Sequence, residues 1–250
     1  MSNRLDYADY PTHEQWNRLF DRKGASFRKI LLKEKSGKQT YSILGSEGIM
    51  NLQLDFWINE YNQKAFDLIN NYILVMHHYG KGIPDTEWVA SNENGGVTYF
   101  PHFEEKHEHI IYWFHFYMDS YYPRFSSLLD TIYHIINVKN YLGIEPVMGF
   151  NSKVSKALKP IDEELHNYLQ SIRQNDIYKS VEHFRNDITH NFKPNHVNSG
   201  ITQRNENGQL IISGGVGTYT TTTDFVVNIE ASIDLLAEII DTIRDKLQAD

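Results

Sequence analysis

Arg185, Asn186 and His190 fall within six consecutive residues of one amphipathic stretch. They offer a fixed cation, an amide and an imidazole that titrates near neutral pH. A guanidinium fork grips two phosphate oxygens at once. An amide holds an oxygen or a hydroxyl in one orientation, and an imidazole moves a proton. Such a set can bind a phosphodiester and exchange a proton beside it without a metal. No other arginine of the chain has a histidine five to seven residues downstream.

The chemistry that uses all three groups is cleavage of RNA by its own ribose 2′-hydroxyl. A base must take the 2′-hydroxyl proton, a cation must stabilise the pentacoordinate phosphorane, and a third group must align the oxygens. His190, Arg185 and Asn186 suit those roles in that order. Residues five apart on a regular helix point about 140° apart. Arg185 and His190 therefore meet in one of two ways. Either Pro194 loosens the last helical turn, or two copies of the chain each supply half of the site.

The elements that must position these residues are mostly helical. Thr12 and Gln15 frame a helix start leading into Trp16, Leu19 and Phe20. Thr40 to Leu44 reads as a short strand and Gly45 to Gly48 as a turn. From residue 51, Leu54, Ile58, Tyr61, Ala65, Leu68, Tyr72 and Val75 form one apolar stripe, which should end near Gly80. Residues 80 to 101 read as loop with at most a small turn of structure. A second stripe runs from Ile111 to Ile135 and holds Pro123, which should kink or split that helix. Pro160 suits the first position of a third helix, with Leu165, Leu169 and Ile172 on its inner face. Asn175 or Asp176 should cap the helix bearing the motif, whose inner stripe is Ile177, Val181, Phe184 and Ile188. Asn207-Gly208 between apolar runs predicts a hairpin. Thr218 to Thr223 reads as β-prone. Ile233, Leu236, Ile240, Ile243 and Leu247 mark the last helix.

The fold class expected is therefore mainly α. It is an up-down bundle of four to five core helices with a small β ribbon, about 197–222, inserted before the last. Residues 1–50 form an N-terminal arm and 51–250 the bundle. Tyr112, Trp113, Tyr117, Tyr121 and Tyr122 widen the second stripe, as a subunit interface would.

Composition narrows the partners. With 40% hydrophobic and 13% aromatic residues the chain can build a core. Its net charge of −8 argues against coating of duplex DNA by charge alone, though not against a local basic cleft. Lys179, Lys193 and Arg204, with Arg173, are the cations nearest the motif and could line an RNA path. Cysteine is absent, so no thiolate metal site or disulfide exists. No apolar leader opens the chain, and its most apolar run, Ile110 to Met118, contains His115 and is about half of the roughly 20 residues a span needs. A cytoplasmic protein with no membrane partner is expected.

An arginine, a polar residue and a histidine on the penultimate core helix of an all-α bundle resemble the motif of the HEPN superfamily (higher eukaryote and prokaryote nucleotide-binding). Arg185, Asn186 and His190 are the matching residues. The resemblance implies a bundle that commonly dimerises, with both motif copies at the dimer cleft. It implies metal-independent endoribonuclease activity in defence, toxin–antitoxin or RNA-processing systems, with RNA as substrate and no cofactor. A homodimer is expected, with an antitoxin or nucleotidyltransferase as candidate partner. The products would be a 2′,3′-cyclic phosphate and a 5′-hydroxyl, formed also in EDTA. The alternative is a non-catalytic scaffold that binds a nucleotide or a protein.

Other clusters compete. His183, Asp187 and His190 share one helix face and, with His196, could hold a transition metal, although such a face is more often a solvated stripe. His102, His107, His109 and His115 lie among Glu104, Glu105 and Glu108 and read as a polar helix start. Gly214-Gly215-Val216-Gly217 lacks the lysine and the following Ser/Thr of a phosphate loop and reads as a turn or bulge.

Overall fold

The computed structural model describes residues 3–33, 45–93 and 95–248. A short 3-10 helix, Arg4–Tyr7, precedes eight α-helices and two two-stranded hairpins among the described residues. The helices are α1 (His13–Asp21), α2 (Gly24–Ile30), α3 (Ser46–Tyr79), α4 (Glu105–Lys139), α5 (Phe150–Leu158), α6 (Glu163–Ile172), α7 (Asp176–His190) and α8 (Thr222–Leu247). The strands are β1 (Val89–Ser91), β2 (Val97–Tyr99), β3 (Thr202–Glu206) and β4 (Gln209–Ser213).

Cross-helix contacts give the topology. Tyr79 meets Phe114, Arg124 pairs with Asp67, and Trp57 stacks on His134, so α3 and α4 run antiparallel. Tyr122 meets both Phe184 and Phe225, and Lys139 reaches the carbonyl of Asp245. Thus α7 opposes α4, while α8 runs beside α4 in the same direction. The four helices α3, α4, α7 and α8 form an up-down bundle, as the apolar stripes predict. Phe27, Ile30 and Leu32 join the same core, because α2 lies along α8 with a row of ion pairs, Arg22–Glu230, Lys23–Asp234 and Lys29–Asp241, on its outer edge.

Several buried polar groups are bonded so that they tie helices together. The Tyr61 hydroxyl donates to the Ile30 carbonyl and Tyr72 to Glu230. Asp85 has no exposure and accepts from the Tyr219 hydroxyl (2.7 Å), the Thr222 amide (2.7 Å) and the Thr222 hydroxyl (2.8 Å). This carboxylate, placed just past α3, satisfies the start of α8 from outside the helix.

Several boundaries differ from the sequence expectation. Gly45 to Gly48 is not a turn, since α3 begins at Ser46; the predicted strand Thr40 to Leu44 lies outside the described residues. Pro123 does not split α4, which is continuous from Glu105 to Lys139. A proline removes one donor and leaves the rest of the ladder, and α4 is held along both halves by α3. Helix α6 starts at Glu163 rather than Pro160, because the Asp162 carboxylate caps it by accepting from the Leu165 amide at 2.9 Å. Thr218 to Thr223 is not a strand: the Thr221 hydroxyl accepts from the Asp224 amide and opens α8. The hairpin turn is as predicted, with Glu206 opposite Gln209 around Asn207 (φ 53°) and Gly208 (φ 81°), but the ribbon covers 202–213 rather than 197–222. Two successive positive φ values are what a two-residue hairpin turn demands.

The widened aromatic stripe of α4 is largely covered by the chain itself. Tyr121 and Tyr122 are fully buried against α8. The Trp113 indole donates to the Arg4 carbonyl, Arg4 lies over Tyr112, and Tyr117 stacks on His78. Much of the aromatic surface expected at a subunit interface there makes intramolecular contacts, while Tyr112 stays exposed.

Two histidines should make the fold sensitive to acid. Both ring nitrogens of His78, and Nε2 of His115, are buried without a hydrogen-bond partner. Burial, then Lys81 and His77, pushes the His78 imidazole down to about 4. Burial, then His196 and Lys193, pushes that of His115 down to about 3. An unfolded histidine titrates near 6.5, so below that pH the unfolded chain binds protons the folded chain refuses. Stability should be full above about pH 7 and fall as pH drops through 6.5 toward 4. At pH 5 the loss should be on the order of 1–2 kcal/mol per histidine. Urea unfolding at pH 7 and pH 5 measures it, and His115→Phe should flatten the acid limb.

Candidate active site

The motif helix α7 is anchored at its start and along one face. The Asn175 side chain accepts from the amides of Ile177 (2.9 Å) and Tyr178 (3.3 Å), so the cap is Asn175. Ile177, Val181, Phe184 and Ile188 face the core, and the Phe184 ring lies 5.0 Å from Phe225 and 5.4 Å from Tyr122. A polar link adds a fixed register: the Tyr122 hydroxyl donates to Asn228 Oδ1 (3.1 Å), and Asn228 Nδ2 donates to Ser180 Oγ (2.8 Å). This chain crosses from α4 through α8 to α7 and sets the rotation of α7 about its axis.

That rotation decides where the motif points. Tyr178, Glu182 and Arg185 lie on one flank, facing a cavity shared with α4, α5 and α6. His183, Asp187 and His190 lie on the other. The helix stays regular to its end: the Asn191 amide still donates to the Asp187 carbonyl at 3.1 Å. Pro194 therefore does not loosen the last turn, and that route to convergence is removed. Within one chain the Arg185 and His190 side chains leave the helix about 140° apart.

Arg185 is half-buried, and its Nη1 donates to Asn186 Oδ1 at 2.9 Å. Among the described residues no carboxylate lies within ion-pair distance of it. His190 is exposed, and its ring has no hydrogen-bond or ion-pair partner among the described residues. The structure thus brings Arg185 and Asn186 together and sets His190 apart.

The three cations expected along an RNA path each have an acid of this chain beside them. Lys179 lies 3.7 Å from Asp176, Lys193 pairs with Asp119, and Arg204 Nε lies 2.9 Å from Glu206. They stand on α7, on the loop after it and on β3.

The metal alternative gains nothing. His183 Nε2 comes within 3.3 Å of Asp187, but among the described residues no group of three histidines or carboxylates is placed to hold an ion. In the α4 cluster, His102 pairs with Glu87, His107 Nδ1 accepts from the Glu104 amide, and His109 stacks on Tyr7. Of the glycine run, Gly217 takes a positive φ and packs against Asn198 at the base of the ribbon. The run is irregular chain after β4 rather than the turn or bulge that the sequence indicates.

Sequence reasoning missed most of the cavity beside Arg185. Asp130, Tyr133 and Asn151 come from segments well before the motif, and only folding brings them to Arg173 and Glu182. The usable signal was the spacing of Tyr178, Glu182 and Arg185, which puts all three on one flank.

A family model described as HEPN_Cthe2314-like HEPN matches residues 57–247, from the first half of α3 to the end of α8. The chain belongs to that HEPN family. No curated protein and no solved structure matches it. In this HEPN chain the Arg185, Asn186 and His190 motif sits on the penultimate helix, within the matched span. Among the described residues no helix is long and apolar enough to cross a membrane.

Asn228→Ala should expose the dependence of the motif on its scaffold. It strands the buried Tyr122 hydroxyl and removes the bond to Ser180, at a cost of about 1–3 kcal/mol. Chemical unfolding of the variant against the parent chain measures the loss.

Proposed function

We propose that this HEPN protein is a metal-independent endoribonuclease whose active site is completed by two copies of the chain. The observation that carries this reading is the state of the motif. Lys179, Lys193 and Arg204 are matched by acids of their own chain, whereas Arg185 is held by an amide and has no carboxylate within ion-pair distance among the described residues. His190 is exposed with its ring uncommitted.

In this mechanism His190 takes the proton of a ribose 2′-hydroxyl. The 2′-oxygen attacks phosphorus, the bond from phosphorus to the 5′-oxygen breaks, and that oxygen leaves with a proton from an acid or water. Arg185 stabilises the charge that builds on the phosphorane oxygens. Asn186 holds the guanidinium by its hydrogen bond and so positions it. The products are a 2′,3′-cyclic phosphate and a 5′-hydroxyl. Because the two side chains diverge on one regular helix, Arg185 of one copy works with His190 of another. A defence or toxin–antitoxin setting, with an antitoxin or nucleotidyltransferase as partner, fits an RNA-cutting enzyme that must be restrained.

A second reading, a non-catalytic scaffold that binds a nucleotide or protein, draws on one observation: Arg185 lines a cavity that His190 does not reach.

RNA cleavage separates the two readings. The parent chain should cut RNA in EDTA, and His190→Ala or Arg185→Ala should each lose roughly 10²–10⁴-fold. Mixing the two inactive variants should restore part of the activity, since one site of a mixed pair regains both residues. Cleavage by either variant at the parent rate would end the mechanism. No recovery on mixing would end the two-copy site.

A further inference from the structure

The cavity flanking Arg185 has a volume of about 310 Å³. That is at the small end of ligand pockets, roughly 300–1,000 Å³, and suits a single ring system. Leu169 and Ile172, both buried, give it an apolar floor. Tyr133 and Tyr178 line it with aromatic surface. Its charged groups are Arg173 and Arg185 against Asp130 and Glu182. Two cations and two anions balance in number, so the interior suits an uncharged ring rather than a polyphosphate.

Its hydrogen-bonding pattern is directional. Asp130 Oδ1 accepts from Asn151 Nδ2 at 2.6 Å, and Glu182 Oε1 accepts from the Ser126 hydroxyl at 2.9 Å. Each carboxylate is thereby held by one oxygen, and its second oxygen has no hydrogen-bond partner among the described residues. Arg173 is held beside the Tyr133 hydroxyl. A ligand that satisfies this lining is flat, uncharged and apolar on its faces, and carries N–H donors along one edge.

We infer that this cavity is a nucleobase subsite, selective for guanine and least favourable to uracil. A guanine edge presents adjacent N–H donors to the carboxylate oxygens that Asn151 and Ser126 leave open, whereas uracil presents a single N–H between two carbonyl acceptors. The tyrosines supply stacking or edge contacts to the ring, worth about 1–3 kcal/mol per base in single-strand recognition. The inference rests on the endoribonuclease reading in one respect: Arg185 grips the phosphate of the nucleotide whose base enters the cavity. The enzyme would then cut beside guanine in single-stranded RNA.

Binding tests this without relying on cleavage. In the His190→Ala chain, calorimetric titration with guanosine 3′-monophosphate and uridine 3′-monophosphate should show at least about tenfold tighter binding of the guanosine nucleotide. Asp130→Asn or Glu182→Gln should bring the two nucleotides to within a few-fold of each other. Leu169→Trp, which fills the floor, should remove binding; Asp130→Asn, on an exposed residue, keeps the test open should that variant misfold. Equal affinity for both nucleotides, no binding of either, or a preference that survives both carboxylate variants would overturn the subsite. Guanosine selectivity in a chain that cuts no RNA would leave the subsite standing and end the endoribonuclease reading. RNA cutting without guanine preference would do the reverse.

Discussion

The rotation of α7 is the constraint on which the site depends, and it is set by packing and by one buried polar link. A helix resting on an apolar stripe alone can roll, because dispersion contacts have little direction. The link from Tyr122 through Asn228 to Ser180 adds donors and acceptors that meet at one angle only. Phe184, clamped between Tyr122 and Phe225, reinforces it from the next turn. With the inner face fixed, every other position on α7 is fixed too. Arg185 must open toward α4 and α6, and His190 must face the other way.

The same logic explains why the N-terminus of α8 is secured so firmly. The segment between α7 and α8 carries an exposed hairpin with no strong hold on the bundle. Without an anchor, α8 would begin wherever the ribbon left it. Asp85 provides that anchor with three donors from Tyr219 and Thr222, and the Thr220 amide donates back to the Pro194 carbonyl at 2.8 Å. Asn228 lies two turns into α8. The position of Asp85 thus propagates along the helix to the polar link, and from there to the motif.

Much of this was legible in the sequence where one local signal dominated. The stripes on α3, α4 and α8, a cap at Asn175 or Asp176 and the Asn207-Gly208 turn each rest on spacing or on a single residue type. The expectation missed where two local signals competed. Pro160 is a good first helical residue, but Asp162 is a better cap, and the carboxylate set the boundary. The threonines of 218–223 favour strand, yet Thr221 followed three residues later by Asp224 forms a capping box, and that decided for helix. Helix α5 carries a short stripe of Phe150, Val154 and Leu158, too brief to stand out beside its long neighbours. The surplus tyrosines of α4 read as an outer face because α8, more than a hundred residues on, supplies their partners. The cavity beside Arg185 was illegible for the same reason: its polar groups converge from separate helices.

The divergence of Arg185 and His190, by contrast, is readable from their spacing, because it follows from 3.6 residues per turn alone. Its consequence is organisational. A helix that placed both side chains in one cleft would give a complete site to a single chain. On the proposed two-copy reading, a regular helix that parts them gives each chain two different half-sites, one built into a cavity and one exposed at a helix end. The guanidinium can then be positioned by its own fold, with Asn186 and the cavity wall fixing it, while the imidazole stays accessible to whatever surface is brought against it. Under that arrangement assembly itself becomes the step that switches chemistry on, and any partner covering the exposed end of α7 would block the site without touching Arg185.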